Sequence, residues 1–206
     1  MSGEDKAPNK RRGQIQALLL MLVVALPMIA AYVIYHTGVG MPEGTVNKGK
    51  LLQPPQHLPD LPLRFADGGA WDFAEQPVRW RYVIPGSGSC DQVCRDNLYL
   101  TRQVHIRLNE KARRVERYYL LLDGAIEPQF AAYLEKEHPR LRIVEAPRAA
   151  LNDALAKTNE TQNPDRAGRY FLMDQEGYLM MSYGPNTDGA DLLKDVKKML
   201  KTSYEE

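Results

Sequence analysis

Cys90 and Cys94 are the only two cysteines of the 206-residue chain, four positions apart in the run SGSCDQVCRDN. A Ser-Gly loop precedes them and a helical pattern follows, so the pair is predicted to open a helix. Unpaired backbone N–H groups and the helix dipole stabilise negative charge at such a start, and the thiolate is the reactive and metal-binding form of cysteine. Residues at i and i+4 share a helical face with Cβ atoms about 5–6 Å apart, whereas a disulfide wants about 3.5–4.5 Å, so a small distortion of the first turn would close the bond. Three chemistries stay open on this reading. They are thiol–disulfide exchange, a two-thiolate grip on a soft ion such as Cu(I), and a static disulfide favoured by an oxidising compartment. As a staple the bond would be weak, because so short a loop removes little unfolded-state entropy. Structural zinc wants four ligands, and the chain offers no second Cys or Cys/His pair.

The elements around the pair are legible from hydrophobic period and turn residues. LRFADGGAWDF reads as a hairpin turning at Asp67-Gly68-Gly69, and Val78–Ile84 as a strand that delivers the chain to the loop before Cys90. From Cys90 a helical pattern runs to about Ala112. ERYYLLLDG is a continuous apolar run, expected as a central strand. Glu127 to Glu137 reads as a helix, LRIVEA as a strand, and Pro147 to Lys157 as a short helix with proline in its first turn. RYFLMDQEGYLMMSYG gives two strands joined at Asp174-Gln175-Glu176-Gly177, and Asp188 to Ser203 a last helix capped by Asp188. Strands alternating with helices imply an α/β fold, and the closing hairpin adds an antiparallel edge.

The N-terminal part is of another kind. Ala17–Tyr35 carries no charge and no strongly polar side chain, and at about 1.5 Å per residue it nearly crosses a hydrocarbon core of roughly 30 Å. Pro27 is tolerated in such a span, and Tyr32 and Tyr35 suit an interface. Lys6, Lys10, Arg11 and Arg12 precede it, which places the N-terminus inside. An uncleaved anchor fits better than a signal peptide, whose apolar region is about 7–15 residues. The expected plan is a polar, basic cytoplasmic tail over 1–14, a transmembrane helix over 15–36, an extended Pro-rich tether over 37–62, and a folded domain over 63–206. That makes the chain a single-pass inner-membrane protein with its C-terminal domain in the periplasm. A net charge of +1 gives no reason to expect a nucleic-acid partner.

Taken together, the tether, the strand and loop, the C-x-x-x-C helix start, YYLLLDG and FLMDQEG resemble the Sco/SenC family over about residues 63–203. The resemblance implies a membrane-anchored thioredoxin-like domain, a central mixed sheet flanked by helices, that assists assembly of the copper site of cytochrome c oxidase. It carries the family's reactive and metal-binding cysteines onto Cys90 and Cys94, with Cu(I) as the metal and the oxidase's copper subunit or another assembly factor as partner. The family's third copper ligand is a histidine about eight residues before the Asp of the FLMD-like strand. Here that place falls near Arg166, in NPDRAGRYFLMD, so this chain resembles a divergent member without that ligand. His105 stands eleven residues beyond Cys94, about 16 Å of helical rise, too far to share a metal. His138 is expected at an exposed helix end, and His57 in the tether. Arg95 and Arg166 are candidates to tune the thiols. Asp123 and Asp174 are expected to make turns, Met173, Met180 and Met181 to fill the core, and KARRVER to be a solvated helix end. Asn159-Glu160-Thr161 matches a glycosylation acceptor pattern.

Overall fold

A computed structural model describes residues 10–37, 47–160 and 167–203. Residues 1–9 of the basic tail, 38–46 of the expected tether, Thr161 of the acceptor pattern, and Arg166 lie outside the described residues. The chain divides into two units, Met1–Thr45 and Val46–Glu206. In the first, one helix, α1, runs over Lys10–Thr37. Within its stretch Arg11–Thr37 an 18-residue window reaches a mean hydropathy of 2.7, and the helix is long and apolar enough to cross a membrane, with Pro27 inside it.

The second unit is one seven-stranded mixed sheet. Its strands are β1 (Lys50–His57), β2 (Arg64–Phe65), β3 (Trp80–Gly86), β4 (Val115–Leu122), β5 (Arg142–Ala146), β6 (Tyr170–Met173) and β7 (Tyr178–Tyr183), in spatial order β1-β7-β6-β3-β4-β5-β2. β3, β4 and β5 are parallel, and every other neighbouring pair is antiparallel. Among the described residues four α-helices complete it: α2 (Gln92–Arg107), α3 (Pro128–Glu137), α4 (Arg148–Leu155) and α5 (Gly189–Thr202).

Strand period two sorts the core into two layers. Tyr82, Ile84, Tyr119, Leu121 and Leu172 face one side, where they pack with Leu98 of α2, Phe130 of α3, Val196 of α5 and both cysteines. Val83, Tyr118, Leu120, Phe171 and Met173 face the other, against Leu151 and Leu155 of α4 and the Leu58–Trp71 segment. The interior strands β3, β4 and β6 are buried along their whole length, with Arg81, Glu116 and Arg117 buried among their apolar residues. The α/β expectation is met, and Met173 and Met181 are core residues.

Three local expectations are corrected. Residues 50–57, read as tether, form the edge strand β1: Leu52 and Leu58 are buried, and Pro54 and Pro55 sit where the β1–β7 register shifts, which an edge tolerates. The hairpin at Asp67-Gly68-Gly69 reduces to one bridge, Arg64 with Ala70, while Arg64 and Phe65 pair with β5. KARRVER is not solvated throughout. Its first part is a 3₁₀ turn, Asn109–Arg114, but Glu116 and Arg117 are already in β4 and buried.

Candidate functional site

The strand β3 ends at Gly86, and residues 87–91 carry the chain into α2. Cys90 does not belong to the helix, contrary to the i, i+4 reading. It precedes the N-cap, Asp91, and its backbone is left-handed, φ 51°. That turn brings the Cys90 sulfur back over the first helical turn, and the two cysteines form a disulfide with Cα atoms 5.4 Å apart. Both lie under the surface, 2% and 8% exposed. Ser89, Asp91, Gln92 and Val93 around them are exposed.

The favourable N–H at the helix start is already used. Asp91 accepts from Cys94 N–H at 2.9 Å, an N-cap bond. From the sheet, Tyr119 reaches the pair: its Oη lies 3.7 Å from Cys94 Sγ and donates to the Ser87 carbonyl at 2.5 Å. Burial, with the Asp91 carboxylate adding to it, holds the phenol proton more firmly than usual. Two glycines permit this packing. A Cβ on Gly86 would stand 2.2 Å from Tyr119 Oη, and one on Gly88 would stand 2.0 Å from the Ala125 carbonyl oxygen. Glu127 N–H donates to the Gly88 carbonyl at 2.9 Å and fixes the loop. On the other flank Asn97 Nδ2 donates to the Gly168 carbonyl, and Gly168, at φ +59°, lies against Val93.

Arg95, expected near the thiols, donates to the Cys90 carbonyl at 3.1 Å and lays its guanidinium over Tyr133 and Phe130. The histidines fall elsewhere. His57 is held between Asp60 (2.8 Å) and the Glu176 carbonyl (3.1 Å), beside β7 residues that register with the start of β3. Gly86 is on the order of 16 Å further along that strand. His138 is not exposed but 3% accessible, between Arg117 and the Tyr133 hydroxyl. Burial and the Arg117 charge bring its pKa down to about 4. His105 is likewise lowered to about 4, first by burial, then by Arg117 and Arg140.

A three-ligand copper centre therefore does not fit this donor set. Among the described residues no three His, Cys, Asp or Glu side chains gather as a metal group. Residues 161–166, TQNPDR, contain neither Cys nor His. Asp123 and Asp174 make turns, as expected: Asp123 accepts from Arg148, and Asp174 from the Glu176 and Tyr178 amides. Sequence reasoning missed Asp91 and Tyr119. Asp91 carried a signal, being of N-cap type at a helix start. Tyr119 carried none, since its place depends on how β4 registers with β3.

Comparison with known proteins agrees with this architecture. The chain matches the family described as transmembrane-like, thioredoxin-like, C-terminal domain over residues 80–203, and its companion, the transmembrane-like N-terminal domain, over residues 8–38. No curated protein matches the sequence significantly. Among solved structures, copper-bound ScoI of Arabidopsis thaliana aligns with a TM-score of 0.54 at 18% identity, over 75% of this chain and 99% of that one. Copper-bound yeast Sco1 aligns at 0.54 and 18%, over 78% and 97%. Apo Sco1 of Thermus thermophilus aligns at 0.51 and 16%, over 78% and 98%. At these identities the likeness is one of fold, and the fold is thioredoxin-like.

Proposed function

Since the chain belongs to the family of transmembrane-like proteins with a thioredoxin-like C-terminal domain, we propose that it exchanges disulfides with a client outside the cytoplasm through Cys90 and Cys94. The observation that carries this is the closed Cys90–Cys94 bond itself, placed at the end of a buried strand and the start of α2. In the reduced chain the Cys90 thiolate attacks a client disulfide, and one client sulfur leaves as a thiolate. Cys94 then attacks the Cys90 sulfur of the mixed disulfide, the second client sulfur leaves, and the Cys90–Cys94 bond forms. The client gains two electrons, its sulfurs take up protons, and a dithiol reductant returns the pair to its reduced state.

The client we assign is the copper-bearing subunit of a cytochrome c oxidase, whose metal-site cysteines must be thiols before metal enters. This rests on the resemblance of the chain to Sco proteins. The matching setting is an inner-membrane anchor with the N-terminus in the cytoplasm, consistent with Arg11 and Arg12 at the start of α1, and the domain in the periplasm. Two thiolates suffice for a linear grip on Cu(I) as passing cargo. With no third His, Cys, Asp or Glu gathered beside them among the described residues, no step of the proposal runs through copper.

A second reading is favoured by one observation, the burial of both sulfurs. On it the disulfide is permanent and the domain docks without redox chemistry. Trapping separates the two. A Cys94→Ser chain cannot resolve a mixed disulfide, so the proposal expects a covalent adduct through Cys90 that reducing agent releases. Absence of any adduct from both Cys94→Ser and Cys90→Ser chains supports the docking reading instead.

A further inference from the structure

At the end of the sheet away from the disulfide lies a cleft of about 680 Å³ between the 3₁₀ turn, α2 and the α3–β5 connection. Trp80 pairs with Val115 and Gly86 with Leu121, so the start of β4 that floors this cleft is about 20 Å along the strands from the cysteine loop. Its charged lining is one-sided: six arginines and no lysine, against three glutamates.

Most of these charges are committed. Glu116 takes Arg79 at 3.3 Å and Arg142 at 3.9 Å, and Glu137 takes Arg102 at 3.2 Å. Arg117 is buried and donates to the Leu98 carbonyl and the Thr101 hydroxyl. Arg113 and Arg140 remain, with Glu110 as the one uncommitted acid of the lining. The two arginines stand on different elements, are exposed, and have no ion pair or hydrogen bond among the described residues. A neutral donor or acceptor is also spare, because His105 Nδ1 is buried without a hydrogen-bond partner among the described residues.

Like charges around a concave surface repel one another, and water screens them less in a recess than on an open face. The same field acts on His105, whose protonation is opposed by burial and then by Arg117 and Arg140. A bound dianion would relieve it. Guanidinium groups, planar and forked, match phosphate oxygens in pairs, which a lysine cannot do. The volume falls within the roughly 300–1,000 Å³ of small-molecule sites and exceeds what a lone inorganic ion needs.

We propose that this cleft binds a phosphate-bearing ligand, with Arg113 and Arg140 as the two arms that close on its oxygens and His105 beside them. The same chemistry is offered by a soluble organic phosphate and by a lipid headgroup. The full chain in phosphatidylcholine nanodiscs is titrated calorimetrically with inorganic pyrophosphate and, separately, with dihexanoyl phosphatidic acid. Saturable binding of either one is expected, weakened at least tenfold in Arg113→Ala/Arg140→Ala and unchanged in Cys90→Ser/Cys94→Ser. Pyrophosphate binding identifies the soluble source, and binding of the lipid alone identifies the headgroup. Both arginines are exposed and unpaired, so an unaltered melting temperature for the double variant verifies its fold. The proposal is overturned if neither probe saturates, or if the double variant binds as tightly as the parent.

Discussion

Asp91 stands between Cys90 and the helix and holds the amide that a Cys94 thiolate would otherwise use. Its carboxylate also repels any thiolate formed beside it. Asp91→Asn keeps a capping side chain and removes the charge. The reduced pair then becomes easier to ionise and more favourable relative to the disulfide. The reduction potential is expected to rise on the order of 10–20 mV, the equivalent of about 0.5–1 kcal/mol for a charge at a helix start. Equilibration against thiol–disulfide buffers measures it, and an unchanged or lower potential would show that the carboxylate is not felt at the sulfurs. At this scale the pair itself was legible from spacing and flanking residues. The left-handed turn at Cys90 was not, because it follows from the strand end and the cap together. The burial of His138 was not legible either, since it is created by Arg117 of a strand distant in sequence.

The loop from Gly86 to Ser89 is the element that sets the pair against the sheet. Gly88 has room for no side chain, with the Ala125 carbonyl where a Cβ would be. Gly88→Ala should push the loop off the β4–α3 connection and break the Glu127–Gly88 bond. The expected loss is about 2–3 kcal/mol, in the range for a strained, overpacked site. It is read as a lowered urea midpoint with the disulfide intact. A midpoint equal to the parent's would mean that the loop is looser than its contacts imply. The order of elements from β3 to α5 follows the sequence pattern closely, because long apolar runs and well-marked caps such as Asp188 determine it. The strand at 50–57 escaped the pattern. Its prolines and glutamines read as linker, and only pairing with β7, more than a hundred residues later, makes it a strand.

On the scale of the molecule, buried polar groups tie distant segments together. Asp195 of α5, 1% exposed, accepts from the Lys48 and Gly49 amides and the Tyr183 hydroxyl, fixing where the chain enters the folded unit. The two arginine-flanked histidines make the fold sensitive to acid. Both are lowered from 6.5 to about 4, so the unfolded chain takes up these protons more readily than the folded one. The stability they contribute is complete above about pH 6.5 and is lost as pH falls towards about 4. His138→Gln should therefore show a shallower decline in unfolding free energy over that window. A decline as steep as the parent's would place the acid sensitivity elsewhere.

The account stands or falls on whether the Cys90–Cys94 bond is exchangeable, and the reduction potential of the full chain measures that directly. Alkylation of the chain equilibrated in graded thiol–disulfide buffers should give a midpoint among the thiol oxidoreductases, between about −120 and −270 mV. A midpoint below about −300 mV would contradict the account and identify the bond as a fixed part of the fold.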